Sequence, residues 1–430
     1  MDMQKLAEAV AAGAASPARK LLTELFDADT FVEIDRLAKD GGEPAAAVAG
    51  FGMVDGAPVY AFAQDHDVCC GAIGKAQAAK IAKIYALAAQ NGAPVVGIFD
   101  SDGARLGEGV DAMDAIAELL AAGNNLSGVV PQIAVVAGAC VGSAAMVAAA
   151  MDLVVAVDGA DYYLSADEEA GVPDVTAADA ATALEQVRAL LACLPANNLT
   201  APMTFEYDGS AGETADRAED AAAMLADADS LITLSKQTAF ARIGGAVCGV
   251  VTLADDKLCA CACDRAARFV RLCDAFSIPV VTVVDAAGFA SLKAATRLSQ
   301  AYAEATVPKL SVVAGRAYGP VYIALAGKSA GADVVIAWPN AVISPLAPEA
   351  AIHLFWKDRL AGMKNPTEER AALAKEYAET ACSPLDAAAA GTVTDVAAPA
   401  ETRARLIAYL DMLAGKRVSH MPRKHTNIQF

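Results

Sequence analysis

The chain has 430 residues and a formal charge of −19, from 52 Asp and Glu against 33 Lys and Arg, and 56% of it is hydrophobic. That length and apolar content suffice for two substantial buried cores. The charge excludes nucleic acid and anionic membranes as partners, since both are bound through clustered Lys and Arg, so an anionic ligand must be met locally.

In chain order, Asp2, Lys5 and Glu8 interrupt any apolar leader, and residues 2–26 are predicted to form an amphipathic surface helix. A strand pair is expected over 47–59. A helical pattern through Lys80-Ile81-Ala82-Lys83-Ile84 leads to the strand Ala93-Pro94-Val95-Val96-Gly97-Ile98-Phe99-Asp100. A second strand, Pro131-Gln132-Ile133-Ala134-Val135-Val136-Ala137-Gly138, is followed by Gly142 and then by Asp152-Leu153-Val154-Val155-Ala156. The apolar stretch 134–151 is broken by Gly138, Gly142 and Ser143, so it reads as buried strand and helix and not as a membrane span. Residues 157–240 change character, with acidic and Ala-rich segments around a helical stretch near Leu184–Leu194.

The same order then returns. Arg268-Phe269-Val270-Arg271, Ile278-Pro279-Val280-Val281-Thr282-Val283-Val284-Asp285, Pro308-Lys309-Leu310-Ser311-Val312-Val313-Ala314-Gly315, Gly319 and Asp333-Val334-Val335-Ile336-Ala337 repeat the first half step for step. Repetition at this scale means two homologous α/β domains, expected at 1–234 and 235–430. Cys259, Cys261 and Cys263 alternate and are expected on one face of a strand; the ten cysteines as a whole are expected to be buried free thiols of a cytoplasmic protein. No C-x-x-C pair or helical His pair occurs, so no metal site is expected.

The four histidines, His66, His353, His420 and His425, form no recognisable nucleophile–base motif. Each copy does place a Gly-containing turn between a buried strand and a small-residue helix, where unpaired N–H groups can converge on an oxyanion. In the first copy the expected donors are Gly142 and Ser143. Spacing alone equally allows Gly142 to serve close packing.

Several segments strongly resemble the carboxyltransferase (beta) subunit of biotin-dependent acyl-CoA carboxylases, of the propionyl-CoA and methylmalonyl-CoA type. They are Phe62-Ala63-Gln64-Asp65, Asp100-Ser101-Asp102-Gly103-Ala104-Arg105-Leu106-Gly107-Glu108-Gly109, Ala267-Arg268-Phe269-Val270-Arg271-Leu272-Cys273-Asp274-Ala275-Phe276, Ala303-Glu304-Ala305-Thr306-Val307-Pro308-Lys309 and the tail Pro422-Arg423-Lys424-His425-Thr426-Asn427-Ile428. The resemblance implies two crotonase-like domains of the ββα superhelix, in a homo- or hetero-hexamer of carboxyltransferase subunits. It implies that Gly142 and Ser143 hold the thioester oxygen of an acyl-CoA as its enolate forms, and that Gly319 and Val321 hold the ureido oxygen of biotin. Ser101, Gly103, Ala104, Arg105, Tyr318 and Ile323 are implied as substrate-binding residues. Biotin must arrive on a partner: Gly362-Met363-Lys364-Asn365 lacks the second Met of a biotin-accepting site, and no phosphate-binding G-x-x-x-x-G-K-[ST] loop is present. The implied partners are a biotin carboxyl carrier protein with biotin carboxylase, or a decarboxylase complex. CoA's phosphates are expected on Arg105, with Lys75, Lys80 and Lys83 as further candidates.

The chain departs from that family at defined points. Tyr318-Gly319-Pro320-Val321 has Pro where the family has Gly, removing one N–H; Ala286-Ala287-Gly288-Phe289 replaces Val-Pro-Gly-Phe before a shortened segment; Ser101-Asp102-Gly103 replaces Ser-Gly-Gly; and Ile323 stands where many relatives carry an acid. Two alternatives therefore stay open, a non-catalytic or partner-dependent subunit that assembles with an intact homologue and a biotin-independent crotonase-type acyl-CoA enzyme.

Overall fold

The computed structural model describes residues 16–40, 43–167, 170–207, 209, 215–361, 366–419, 421, 422 and 424–427. The first part of the predicted helix over 2–26, the Gly362–Asn365 motif, His420 and parts of the C-terminal tail motif lie outside the described residues. The chain divides into two compact units, Met1–Met203 and Thr204–Phe430.

In the first unit α1 (Pro17–Leu25) leads to β1 (Val32–Glu33), the small hairpin β2 (Lys39–Asp40) and β3 (Glu43–Pro44), and β4 (Ala47–Val54) and β5 (Ala57–Gln64). Next come α2 (Lys75–Asn91), β6 (Val95–Ser101), α3 (Val110–Leu126), β7 (Gln132–Val141), α4 (Ser143–Ala149), β8 (Leu153–Val157), β9 (Asp161–Tyr163), β10 (Val175–Ala177) and α5 (Ala180–Cys193). The main sheet runs β1-β4-β5-β6-β7-β8-β10, with β9 also paired to β7. Strands β1, β4 and β5 are antiparallel, and pairing is parallel from β5 onward. Val95, Val96, Ile98 and Phe99 are all buried, the near-continuous apolar run of a parallel strand covered on both faces. Helix α2 buries Ala78, Ile81, Ile84, Tyr85 and Ala88, a 3.6-residue pattern, and Tyr85 packs on Phe62. It ends at Gly92, whose φ of +61° suits a left-handed C-terminal residue.

The second unit has β11 (Ile232–Thr233), β12 (Thr238–Ile243), β13 (Ala246–Leu258), β14 (Val280–Phe289), β15 (Lys309–Tyr318), β16 (Val334–Ala337), β17 (Val342–Ser344) and β18 (Asp395–Val396). Its sheet order, β11-β12-β13-β14-β15-β16-β18 with β17 on β15, repeats the first strand for strand. The helices are α6 (Ala221–Leu225), α7 (Ala260–Ala275), α8 (Leu292–Glu304), α9 (Pro320–Leu325), α10 (Pro348–Phe355), α11 (Lys357–Leu360), α12 (Pro366–Ala381), α13 (Pro384–Ala389) and α14 (Pro399–Leu413). Helices α10 and α12 close a small apolar cluster of their own around Ile352, Leu373 and Tyr377.

The duplication extends to individual polar contacts. Asp27 accepts from the N–H groups of Asp55 and Gly56 in the β4–β5 turn, and Asp227 accepts from Gly244 and Gly245 in the β12–β13 turn. Arg188 on α5 binds Asp27, as Arg403 on α14 binds Asp227. Residues 204–234, which the sequence reading gave to the first domain, therefore belong with the second unit, because Asp227 there is the counterpart of Asp27.

The expected strand through Cys259, Cys261 and Cys263 is corrected. Cys259 is the N-cap residue of α7, its Sγ accepting from Ala262 N–H at 3.3 Å, and the other two lie on the helix. Cys69, Cys70, Cys259 and Cys261 are exposed and the other six are buried, so the expectation of uniformly buried thiols holds for six of ten. Among the described residues no helix is long and apolar enough to cross a membrane.

Candidate active site

In the first unit, β6 ends at the fully buried Ser101, and the chain turns sharply at Gly103, where φ is +99°. Ser101 Oγ accepts from Gly103 N–H at 3.1 Å and pins this turn. Ile73 N–H then donates to Gly103 O at 2.7 Å, and Arg105 N–H to Ile73 O at 3.0 Å. This parallel bridge engages the groups on either side of Ala104 and leaves Ala104 N–H out of it. A Cβ on Gly103 would stand 3.0 Å from Val141 O and 3.8 Å from Ser143 N and Oγ, so the loop lies against the start of α4.

The second element is the β7–α4 turn. Gly142 has φ +58° and ψ −127°, which places α4 directly after the strand and requires glycine. Its N–H is already engaged, donating to Tyr163 O at 3.0 Å. The expected donor pair Gly142 and Ser143 is thus corrected: Gly142 shapes the turn, and Ser143, first in the helix with no side-chain cap, has the free N–H. Ser143 Oγ is also buried without a hydrogen-bond partner. Ala104 and Ser143 are the two backbone donors this loop and helix bring together.

The second unit reproduces the frame with one donor removed. Gly319, at φ +43°, gives its N–H to Ser344 O at 2.8 Å, as Gly142 does to Tyr163, so its expected donor role is corrected too. Pro320 occupies the position of Ser143 at the head of α9 and has no N–H, which leaves the buried Val321 as the first donor of that helix. Leu258 pairs with Phe289, and Ala290 N–H donates to Leu258 O at 2.9 Å, so Phe289 holds the place of Ala104. Sequence reading missed Phe289 as a donor, because the equivalence emerges only from strand register. In both units a carboxylate braces the bulged central strand: Asp100 accepts from Ala139 N–H at 3.0 Å and Asp285 from Arg316 N–H at 2.8 Å. Gly138 and Gly315 are required beside them, since a Cβ at either would come within 2.5 Å of the carboxyl group.

Of the remaining expected residues, Tyr318 is buried, and burial pushes its hydroxyl up to about 12. Ile323 stands 60% exposed on α9. The cation candidates separate clearly. Lys80 is buried against Glu33 Oε1 at 3.2 Å and Ala47 O at 2.9 Å, its ammonium held below the usual lysine range by desolvation, and Lys83 is paired with Asp35 at 2.8 Å. Lys75 is exposed, and Arg105 donates to Cys69 Sγ at 3.4 Å with Glu108 Oε1 at 3.6 Å. Beside Lys80, a cavity of about 400 Å³ carries Arg19, Arg36 and Lys39 against Glu33, Asp65 and Asp67.

Paired turns of this kind, in two α/β units of one topology, define a class of protein that stabilises oxyanions through backbone N–H groups. The carboxyl transferase domain family matches residues 16–167 and 159–428. The chain is 31% identical to the methylmalonyl-CoA decarboxylase subunit alpha of Propionigenium modestum, over 99% of this chain and 98% of the relative. It is 34% identical to the propionyl-CoA carboxylase beta chain of Saccharopolyspora erythraea, over 96% and 90% respectively. In structure it resembles a transcarboxylase 12S subunit, solved as a hexamer assembly with hydrolysed methylmalonyl-CoA bound, with TM-score 0.87, 30% identity and coverage of 99% of this chain and 95% of that one. The chain belongs to the carboxyl transferase family, and both of its units have the crotonase-like fold.

Proposed function

We propose that this chain is the carboxyltransferase component of an acyl-CoA carboxylase or decarboxylase, moving a carboxyl group between biotin and the α-carbon of an acyl-CoA. The observation that carries this reading is the convergence of Ala104 and Ser143 at the Gly103 contact, where two N–H groups can hold the thioester oxygen as it gains enolate charge. Each such donor contributes roughly 3 kcal/mol in a water-excluded site. Arg105 and Lys75 are the cations to meet CoA's phosphates.

The second turn fits a single carbonyl-type oxygen, such as the ureido oxygen of biotin, through Phe289 and Val321 N–H. When bound, biotin supplies or receives the carboxyl group, and it comes on a carrier protein from a carboxylase or decarboxylase assembly. Tyr318 and Ile323 border this turn in sequence and are proposed to shape what enters. The setting is cytoplasmic, within a homo- or hetero-hexamer of carboxyltransferase subunits, and the two domains of action are the two compact units.

Pro320 favours a second reading, in which biotin-side activity is weak alone and an intact homologous subunit completes it. Mass spectrometry of products from a panel of carboxylated and uncarboxylated acyl-CoA thioesters, with and without free biotin, tests both. Biotin-dependent loss or transfer of a carboxyl group supports the first. Product without biotin overturns it in favour of a crotonase-type enzyme, and activity only after adding a homologous subunit supports the second.

A further inference from the structure

We propose that His66, Cys70 and Asp102 form a binding site for a zinc-class divalent cation on the first unit. Among the described residues they are the one group of three His, Cys, Asp or Glu side chains whose ligand atoms converge, all within 4.8 Å of one another. The inference goes beyond carboxyl transfer and does not depend on it.

Three observations carry it. The first is distance: His66 Nε2 and Asp102 Oδ1 are 3.4 Å apart, and two ligands bonded at ~2.1 Å to a tetrahedral ion stand ~3.4 Å apart. This pair already has the spacing of one edge of such a site. The second is scaffold. Cys69 and Cys70 both have left-handed backbone, φ +50° and +53°, which non-glycine residues adopt at a cost, and Asp102 N–H donates to Cys70 O at 3.0 Å. That bond fixes the two chain segments carrying the ligands against each other. The third is donor chemistry. One imidazole, one thiolate and one carboxylate suit zinc; calcium and magnesium demand all-oxygen shells.

Charge balances as well. On binding, the Cys70 thiol loses its proton to solvent, a neutral His66 binds through Nε2, and thiolate plus carboxylate neutralise the ion's two charges. Three protein ligands leave a fourth position for water or an anionic oxygen. Asp102 immediately precedes Gly103, which lies against Ser143, so the ion would tether the loop that carries the Ala104 donor.

The test uses the full chain after chelator treatment, titrated with Zn²⁺ against a chromogenic zinc indicator and separately with Co²⁺ followed by absorption. One Zn²⁺ per chain is expected, with a thiolate-to-cobalt charge-transfer band. Asp102→Asn, His66→Ala and Cys70→Ser should each weaken Zn²⁺ binding at least about tenfold, Cys70→Ser should also abolish the band, and Cys259→Ser should change neither. These exposed positions leave the fold intact, which circular dichroism checks. Failure to bind Zn²⁺ stoichiometrically, or binding that moves with Cys259→Ser and not with the three ligand variants, overturns the proposal.

Discussion

Cys259 and Cys261 sit with their Sγ atoms 2.7 Å apart, yet their thiols are driven in opposite directions. Cys259 is held below the ordinary thiol range, first by its hydrogen bond with Cys261 and then by Ala262 N–H at the head of α7; Cys261 is held above it, first by the same hydrogen bond. The thiolate is the reactive form. Cys259 should therefore be alkylated first by iodoacetamide, and Cys261→Ala should move its rate profile to higher pH by removing the donor. Peptide mapping by mass spectrometry reads both, and equal labelling of the two thiols would contradict the assignment. Buried Cys140 and Cys248, pushed up to about 12 by desolvation, should react only on unfolding. Arg105 is the other residue to test singly. Its removal as Arg105→Ala should weaken CoA binding several-fold at low salt and flatten the salt dependence; unchanged affinity across the titration would exclude it as a phosphate contact.

At the scale of elements, the hairpin turns at Asp55-Gly56 and Gly244-Gly245 are each held by a carboxylate and an arginine, but in different surroundings. Arg403 and Asp227 are both 9% exposed at the side chain, whereas Asp27 and Arg188 are 29% and 28% exposed. Removing one partner of a buried pair strands the other charge, so Arg403→Met should destabilise the protein by about 3 kcal/mol in denaturant titration, and Arg188→Met by much less. Asp27 has its carboxyl lowered, chiefly by Arg188 and the Gly56 N–H. Its contribution is therefore fully present above the unfolded carboxylate range and is lost as pH falls through its lower folded value. Asp27→Asn should flatten the acid limb of stability; an unchanged limb would show that Asp27 is not linked to it. These turns also show why one boundary escaped the sequence reading. The strands were legible because apolar runs ending in Asp recur, whereas the segment with Asp227 lies in Ala- and Asp-rich sequence where the repeat is short, Leu25-Phe26-Asp27-Ala28-Asp29-Thr30 against Leu225-Ala226-Asp227-Ala228-Asp229-Ser230. Likewise His66, Cys70 and Asp102 meet through the bridge between Ile73 and Ala104 and the Asp102 N–H to Cys70 O bond, which join distant positions that no spacing rule connects.

For the whole molecule, duplication supplies its own control, since the same turn occurs once with a helix-head N–H and once without. The glycines before each helix were visible in the sequence; that their N–H groups are committed to Tyr163 and Ser344 was not, because those acceptors are set by the pairing of β9 with β7 and β17 with β15. Ser143 and Pro320 are then the positions that distinguish the two turns, and exchanging their chemistry tests the assignment of each. Proline is accepted at the first position of a helix, so Ser143→Pro should fold while lowering acyl-CoA turnover by about a hundredfold or more through loss of one oxyanion donor. Pro320→Gly should do the reverse, raising biotin-dependent transfer by up to about a hundredfold, with a small loss of stability from the freed backbone. Steady-state rates with carboxylated acyl-CoA and free biotin, beside thermal melts of each variant, separate catalysis from folding. A Ser143→Pro protein that folds and turns over normally would remove the first turn from the chemistry, and a Pro320→Gly protein with no gain would leave the second turn without a biotin role.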